Sequence, residues 1–173
     1  MAFSFTPDER RQIDELLTRY PERMSATLPL LHLAQRRLGW VSPEAMDEVA
    51  RALDLPRLHV SDVVTFYSMF QRRPVGRHLI SVCRTLSCHF LGGREIVDYL
   101  RRRLQLGEET AGSDPSGTFT LEQVECLAAC GTAPVLLVDG IYHENMTVEK
   151  VAALLDGLEA RTGVGAAAFG EEA

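Results

Sequence analysis

The four cysteines of the sequence all lie in one stretch of the chain. Cys83 and Cys88 form a C-x4-C pair, and Cys126 and Cys130 form a C-x3-C pair that begins after 37 intervening residues. Two close pairs on two separate loops are typical of a site in which four thiolates hold one metal centre. Because such a site requires the two loops to meet, this stretch constrains the fold more than any other part of the chain.

The composition is that of a globular protein without a basic surface. Hydrophobic residues make up 46% of the 173 residues, which is enough for a packed core. The formal net charge of −6 argues against a nucleic-acid partner, because proteins that bind the phosphate backbone usually carry a basic surface. No apolar run approaches the ~18 residues that a membrane span needs, so direct membrane insertion is not expected.

The first residues lack the basic region and the apolar region of a signal peptide, so we expect a cytoplasmic protein. In a reducing cytosol, paired cysteines bind metal or carry out redox chemistry more often than they form structural disulfides.

Helical periodicity predicts a small helical bundle over residues 1–73. Thr6-Pro7-Asp8-Glu9 has the pattern of a capping box that starts the first helix. Three further helices are predicted over about 25–38, 42–53 and 58–70. The turn-rich run from Arg72 to Gly76 is the predicted boundary with a second domain.

Two stretches allow both a structural and a functional interpretation. The aromatic run from Phe66 to Phe70 could pack in a core or could form an exposed docking patch for a partner. The run Arg101-Arg102-Arg103 is predicted to lie on the solvated outer face of a helix rather than to form an anion site.

Residues 77–160 are predicted to form a second domain with the order strand, helix, strand, strand, strand, helix. The first strand covers 78–83 and the second covers 119–125, with a helix over 95–104 between them. Asp139-Gly140 is a strong hairpin turn for the last two strands. A right-handed crossover makes the first two strands parallel, so both cysteine pairs would follow strands that point to the same edge of the sheet.

Two segments of this half are predicted to be irregular. Residues 107–117 are polar and acidic, and we expect a flexible loop there. Residues 161–173 are expected to form a flexible tail. Gly163 to Ala168 loosely matches a dinucleotide fingerprint, but no predicted strand precedes it and no helix follows it, so it does not indicate nucleotide binding.

The cysteine pattern is best explained by a [2Fe–2S] cluster, which takes two thiolates on each iron and therefore needs only two close pairs. A zinc site, as part of a structural interaction module, remains an alternative, although structural zinc usually favours C-x2-C spacing. Two disulfides are a further alternative, and a thioredoxin-type dithiol would require C-x-x-C, which the chain lacks. Candidate donors near the site are Thr85, Ser87, Thr132 and the segment Leu91-Gly92-Gly93.

The cysteines and their flanking residues resemble a known family. The resemblance rests on Cys83-x4-Cys88, on the run from Glu125-Cys126-Leu127 through Ala129-Cys130-Gly131 to Ala133-Pro134, and on Tyr142-His143-Glu144-x-x-Thr147. These motifs resemble the 24 kDa [2Fe–2S] subunits of respiratory complex I, known as E subunits of NADH:quinone oxidoreductase. The match extends over roughly residues 10–158.

The resemblance implies a mixed α/β (α+β) fold, with an N-terminal helical bundle before a thioredoxin-like [2Fe–2S] ferredoxin domain. It implies that Cys83, Cys88, Cys126 and Cys130 ligate one cluster, and that Ala133-Pro134 has a cis peptide bond. FMN and NADH would lie on a 51 kDa-type partner, the F subunit, so this chain would have no complete active site of its own.

The resemblance also implies a place in a larger assembly. The chain would accept single electrons from reduced FMN, would further contact the larger iron–sulfur G subunit, and would lie peripherally at the inner face of the plasma membrane. Similar subunits occur in NAD-linked formate dehydrogenases and bidirectional hydrogenases, so the cysteines do not choose between these parent complexes.

Overall fold

A computed structural model describes residues 3–160, in which the chain forms two compact units. The first unit ends at Pro74 and the second begins at Val75. Both the predicted tail over 161–173 and the glycine-rich match within it lie outside the described residues. No helix of the described range is long and apolar enough to cross a membrane.

The described part of the first unit contains four α-helices: α1 (Pro7–Leu17), α2 (Thr27–Leu38), α3 (Pro43–Leu53) and α4 (Arg57–Phe66). The predicted capping box is present at the start of α1. The Thr6 hydroxyl accepts from the Glu9 N–H at 3.2 Å, and the Glu9 carboxylate accepts from the Thr6 N–H at 2.7 Å. The helices share one apolar core, which includes Leu30, Leu31, Val49, Leu53 and Val60.

The chain after α4 differs from the prediction, because the helix ends at Phe66 and not at Phe70. Beyond this point the backbone turns back, and the Gln35 side chain holds it by donating to the Met69 carbonyl and accepting from the Gln71 N–H. Phe70 is buried in the core, whereas Phe66 is 80% exposed. Phe70 therefore packs in a core, one of the two interpretations that the sequence allowed, and a docking patch at the exposed Phe66 stays a prediction.

The second unit contains a five-stranded sheet with the order β2-β3-β1-β4-β5. Its strands are β1 (His78–Cys83), β2 (Ala111–Ser113), β3 (Phe119–Val124), β4 (Leu136–Val138) and β5 (Ile141–His143). β1 and β3 are parallel, as predicted, and the other neighbouring pairs are antiparallel. Asp139 and Gly140 both have positive φ, as expected for a tight hairpin between β4 and β5.

Within residues 75–160, three α-helices accompany the sheet: a single turn, α5 (Leu86–Cys88), and two longer helices, α6 (Arg94–Arg103) and α7 (Val148–Ala160). α6 buries Ile96 and Leu100, and α7 buries Val151 and Leu155, in one cluster with side chains of the sheet. The sheet and these two helices thus form the core of the second unit, and α5 contains Cys88, which packs in a separate small cluster.

β2 corrects the prediction of a wholly flexible loop over 107–117. Ala111 to Ser113 pair antiparallel with β3, and the Ser113 and Thr120 hydroxyls are 2.7 Å apart. The strand is short, polar and at the edge of the sheet, so it has no alternation of apolar residues that a sequence pattern could detect.

Candidate metal centre

The parallel pairing of β1 and β3 places the starts of both cysteine loops side by side. Cys83 is the last residue of β1 and lies opposite Val124, the last residue of β3. The pairing continues one residue further, since the Arg84 N–H donates to the Val124 carbonyl at 3.0 Å. The expectation that both loops leave the sheet at the same edge is confirmed.

The first cysteine pair is buried. Cys83 and Cys88 are each 3% exposed and pack with Val135 in a small apolar cluster. The chain passes close beneath Cys88, because a Cβ atom at Gly93 would lie only 2.6 Å from the Cys88 carbonyl oxygen. A glycine at this position therefore allows the backbone to fold tightly around the buried pair.

The second pair is exposed but lies against the first. Cys126 and Cys130 are surface residues, while Leu127 and Ala129 between them pack on the cluster formed by the buried pair. The Tyr142 hydroxyl fixes this loop by donating to the Leu127 carbonyl at 3.1 Å. The loop is followed by a cis peptide bond at Ala133-Pro134, which confirms that prediction.

Contacts at the sulfur of Cys83 connect the two loops. Burial by itself raises the pKa of this thiol, but hydrogen bonds from the Thr85 hydroxyl and from the backbone N–H groups of Leu127 and Thr85 outweigh it. The pKa of Cys83 consequently lies below its ordinary value, which favours the thiolate. Since Leu127 belongs to the second loop, it brings a donor of that loop to a sulfur of the first.

The pKa of Cys88 is shifted in the opposite direction, above its ordinary value. Burial raises its pKa, and the neighbouring sulfurs of Cys83 and Cys130 raise it further, although the Val135 N–H acts to lower it. The sulfurs of Cys83 and Cys130 are therefore both close enough to Cys88 to affect its pKa. Neighbouring thiolates repel each other, and a bound cation offsets that repulsion.

The donors at the sulfurs are only partly those that the sequence suggested. Thr85 is confirmed as a neighbour of Cys83, with its hydroxyl oxygen 3.0 Å from the sulfur. The pKa shifts at Cys83 and Cys88 involve the backbone of Thr85, Leu127 and Val135, of which the sequence suggested only Thr85. Donation by Leu91-Gly92-Gly93 to a bound cluster stays a prediction. Ala128 adds a donor to the Cys126 sulfur at 3.3 Å.

The two adjoining cysteine pairs supply the number of thiolates that a dinuclear cluster takes. All four cysteines are free thiols, so the disulfide alternative is not realised. Structural zinc sites usually have C-x2-C spacing, which neither cysteine pair has. A [2Fe–2S] cluster needs only two thiolates on each iron, and the two adjoining pairs with their N–H donors fit that requirement.

Replacing Thr85 by valine is expected to lower the reduction potential of the cluster. A hydrogen bond to a ligand sulfur stabilises the more negative reduced state, and Thr85→Val removes this donor with little change of shape. The loss of one hydrogen bond corresponds to about 20 to 60 mV for a one-electron couple. A spectroscopically monitored redox titration measures the potential. Thr132→Val is the matched control, because its hydroxyl donates to the Ala129 carbonyl rather than to a sulfur, and an equal shift in both variants would contradict the assignment.

The sheet, with two cysteine loops at one edge, has the arrangement expected of a thiolate-ligated metal centre. A family model described as thioredoxin-like [2Fe-2S] ferredoxin matches residues 13–159, so the chain belongs to this family. The cofactor of the chain is accordingly one [2Fe–2S] cluster.

Curated relatives have more specific names. The chain is 40% identical over 163 residues to the E subunit of the NADH-quinone oxidoreductase of Mycobacterium tuberculosis, a match that covers 92% of this chain and 64% of that protein. It is 39% identical over 159 residues to subunit 2 of the NADH-quinone oxidoreductase of Thermus thermophilus, which covers 90% of this chain and 87% of the relative. The chain thus spans less than two thirds of the length of the mycobacterial proteins it matches.

A solved structure shares the fold. A chain of the NAD+-reducing [NiFe]-hydrogenase, crystallised in the H2-reduced state, matches 79% of this chain and 22% of its own length with a TM-score of 0.69. The sequence identity is only 20%, so this likeness concerns the fold alone.

Proposed function

We propose that this chain is an electron-transfer subunit of the NADH dehydrogenase module of a complex I-type enzyme. Cys83, Cys88, Cys126 and Cys130 are the proposed ligands of its cluster. The observation that carries the proposal is the meeting of a buried and an exposed cysteine pair at one edge of the sheet. When bound there, a [2Fe–2S] cluster takes up and releases one electron at a time.

The protein residues contribute a site that is buried on one side and accessible on the other. Cys83 and Cys88 anchor the site in the apolar interior, where water is excluded. Cys126 and Cys130 are exposed, so they define the side from which an electron would arrive. The N–H groups of Leu127 and Val135 offset the negative charge on the sulfurs, which eases the addition of a further electron.

The electron donor must come from a partner. Residues 3–160 contain no glycine-rich dinucleotide fingerprint, so we place NADH and FMN on a larger subunit of the F type. Large apolar side chains near the cysteines support docking on this side, since Leu86, Phe90 and Ile141 are each more than 60% exposed. A larger iron–sulfur subunit of the G type would be the second partner.

Complex I is favoured over the other parent complexes by the relatives. NADH-quinone oxidoreductase subunits match this chain over about nine tenths of its length at 37–40% identity, whereas the hydrogenase likeness reflects the fold alone. A location at the inner face of the plasma membrane, as a peripheral part of the complex, follows from this assignment. NAD-linked formate dehydrogenase and bidirectional hydrogenase are the alternative parents.

Rapid reduction by NADH is expected only in the presence of the flavin-bearing partner. The cluster-containing chain is mixed anaerobically with NADH, with and without an F-type partner that carries FMN, and cluster bleaching is followed by stopped-flow absorbance. Bleaching with the complete pair and none with the chain alone is the predicted result. Equally fast bleaching without the flavin-bearing partner would contradict the proposal, and the proteins that co-purify with the chain would identify the parent complex.

A further inference from the structure

The second cysteine loop presents two successive backbone N–H groups to sulfur atoms. The Ala128 N–H donates to the sulfur of Cys126, in the exposed pair, at 3.3 Å. The Leu127 N–H donates to the sulfur of Cys83, in the buried pair. Successive N–H groups that converge on anionic groups are a recurrent feature of phosphate and iron–sulfur sites. The direction of these two N–H groups therefore bears on how much negative charge the site can carry.

The backbone conformation of Ala128 needs support from its surroundings. Its φ of 58° lies in the left-handed region, which is unfavourable for a residue with a Cβ atom. Such a conformation persists only where neighbouring interactions impose it. In this loop, the unfavourable conformation occurs at the residue whose N–H contacts the Cys126 sulfur.

The Tyr142 hydroxyl provides an interaction of this kind. It donates to the Leu127 carbonyl oxygen at 3.1 Å. This oxygen and the Ala128 N–H belong to one planar trans peptide unit, so they point in opposite directions and move together. A hydroxyl that holds the oxygen on one side therefore directs the N–H to the Cys126 sulfur on the other side.

The sheet fixes the position of Tyr142 relative to the buried cysteine pair. Tyr142 lies in β5 and pairs with Leu137 of β4, which in turn pairs with Ser81 of β1. β1 ends at Cys83. The hydroxyl that holds the second cysteine loop is thus attached to the same sheet as the first cysteine pair.

We propose that Tyr142 is a positioning residue that raises the reduction potential of the cluster by holding the Leu127–Ala128 peptide against the Cys126 sulfur. An amide whose oxygen accepts a hydrogen bond is a stronger donor at its N–H, because hydrogen bonds in a chain polarise one another. A stronger donor at a ligand sulfur stabilises the more negative reduced state. The proposal rests on the proposed ligand role of Cys126, whereas the contact of Tyr142 with the loop does not.

A redox titration of Tyr142→Phe tests the proposal, because this substitution removes the hydroxyl and keeps the ring. The equilibrium constant for reduction should fall at least about twofold, as the loss of one hydrogen bond implies. This change makes the potential about 18 mV more negative at 59 mV per tenfold. Iron and acid-labile sulfide should stay unchanged, since all four cysteines remain. Tyr99→Phe is the matched control: Tyr99 packs against the core of the second unit, so this variant should keep the original potential.

Hydrogen–deuterium exchange of the same proteins, measured by mass spectrometry, reports on the loop independently of the potential. Fragments that cover residues 125–131 should exchange faster in Tyr142→Phe than in Tyr99→Phe. Unchanged exchange would overturn the proposal, as would an equal shift of potential in both variants. An unchanged potential in Tyr142→Phe would also overturn it, even if the cluster content fell, because the role of Tyr142 would then be merely structural.

The cluster content of the unmodified chain separates this proposal from the proposed function. A chain that holds no cluster would contradict the proposed function and this proposal together, and the exchange measurement would then report only the contact of Tyr142 with the loop. A chain that holds a cluster whose potential does not respond to Tyr142→Phe would contradict this proposal alone.

Discussion

Replacing Cys126 by serine is expected to reduce the cluster content at least about tenfold, while both units of the chain remain folded. Removal of a group that merely supports a ligand already costs about 10- to 100-fold in metal affinity, and Cys126 is a proposed ligand itself. The fold should survive because Cys126 is exposed and belongs to neither apolar core. Iron and acid-labile sulfide analysis measures the cluster, and far-UV circular dichroism monitors the helices.

Ala128→Ser is the matched control for this variant. It introduces the same hydroxymethyl group into the same exposed loop without removing a thiol, so its cluster content should equal that of the unmodified chain. Unchanged iron and sulfide in Cys126→Ser would exclude this residue as a ligand. Equal loss in both variants would show that the loop tolerates no substitution, and the ligand assignment would then lose its support.

Among the substitutions predicted here, Gly93→Ala is expected to lower the free energy of unfolding the most. The new Cβ would lie 2.6 Å from the Cys88 carbonyl oxygen and 3.0 Å from its carbonyl carbon, and these backbone atoms cannot rotate away. Overpacking of this kind costs about 1 to 3 kcal/mol of unfolding free energy. Because the strain falls on Cys88, the cluster should also become more labile. Chemical denaturation of the cluster-containing protein measures the first effect, and the rate of cluster loss measures the second.

Gly157→Ala is the matched control, because the same glycine-to-alanine change is expected to increase stability at this position. Gly157 is exposed in α7, and a Cβ atom there would meet no atom within 4 Å. Alanine in a helix interior is favoured over glycine by about 0.5 to 1 kcal/mol, so this variant should be slightly more stable. If Gly93→Ala were as stable as Gly157→Ala, the close passage of the chain beneath Cys88 would be contradicted.

Local signals explain why much of the fold could be predicted. The Thr6 to Glu9 capping box and the Asp139-Gly140 turn depend on residues only a few positions apart, and both are present as predicted. The parallel pairing of β1 and β3 followed from the handedness of a strand–helix–strand connection. By contrast, β2 is a short polar edge strand that pairs with the nearby β3 but has no apolar alternation to reveal it. The end of α4 depends on the Gln35 side chain, which is far away in the sequence, so no local pattern indicates it.

The candidate site likewise combines features that the local sequence predicts with features that depend on tertiary packing. The spacing of the cysteines and their positions at the ends of two strands were sufficient to expect that the loops meet, and Thr85 could be named because it lies two residues from Cys83. The donors of Leu127 and Val135 and the contact of Tyr142 with Leu127 arise from tertiary packing. The donors of Leu127 and Val135 are backbone N–H groups, which nearly every residue type has. The identity of the side chain at these positions therefore does not reveal the interaction.

Electron paramagnetic resonance of the anaerobically purified chain tests the central claim most directly. If the four cysteines hold a [2Fe–2S] cluster, the protein should be red-brown and silent when oxidised, and it should give a rhombic signal after strong reduction, with intensity close to one spin per cluster. A colourless protein that contains zinc and gives no signal after reduction would contradict the account.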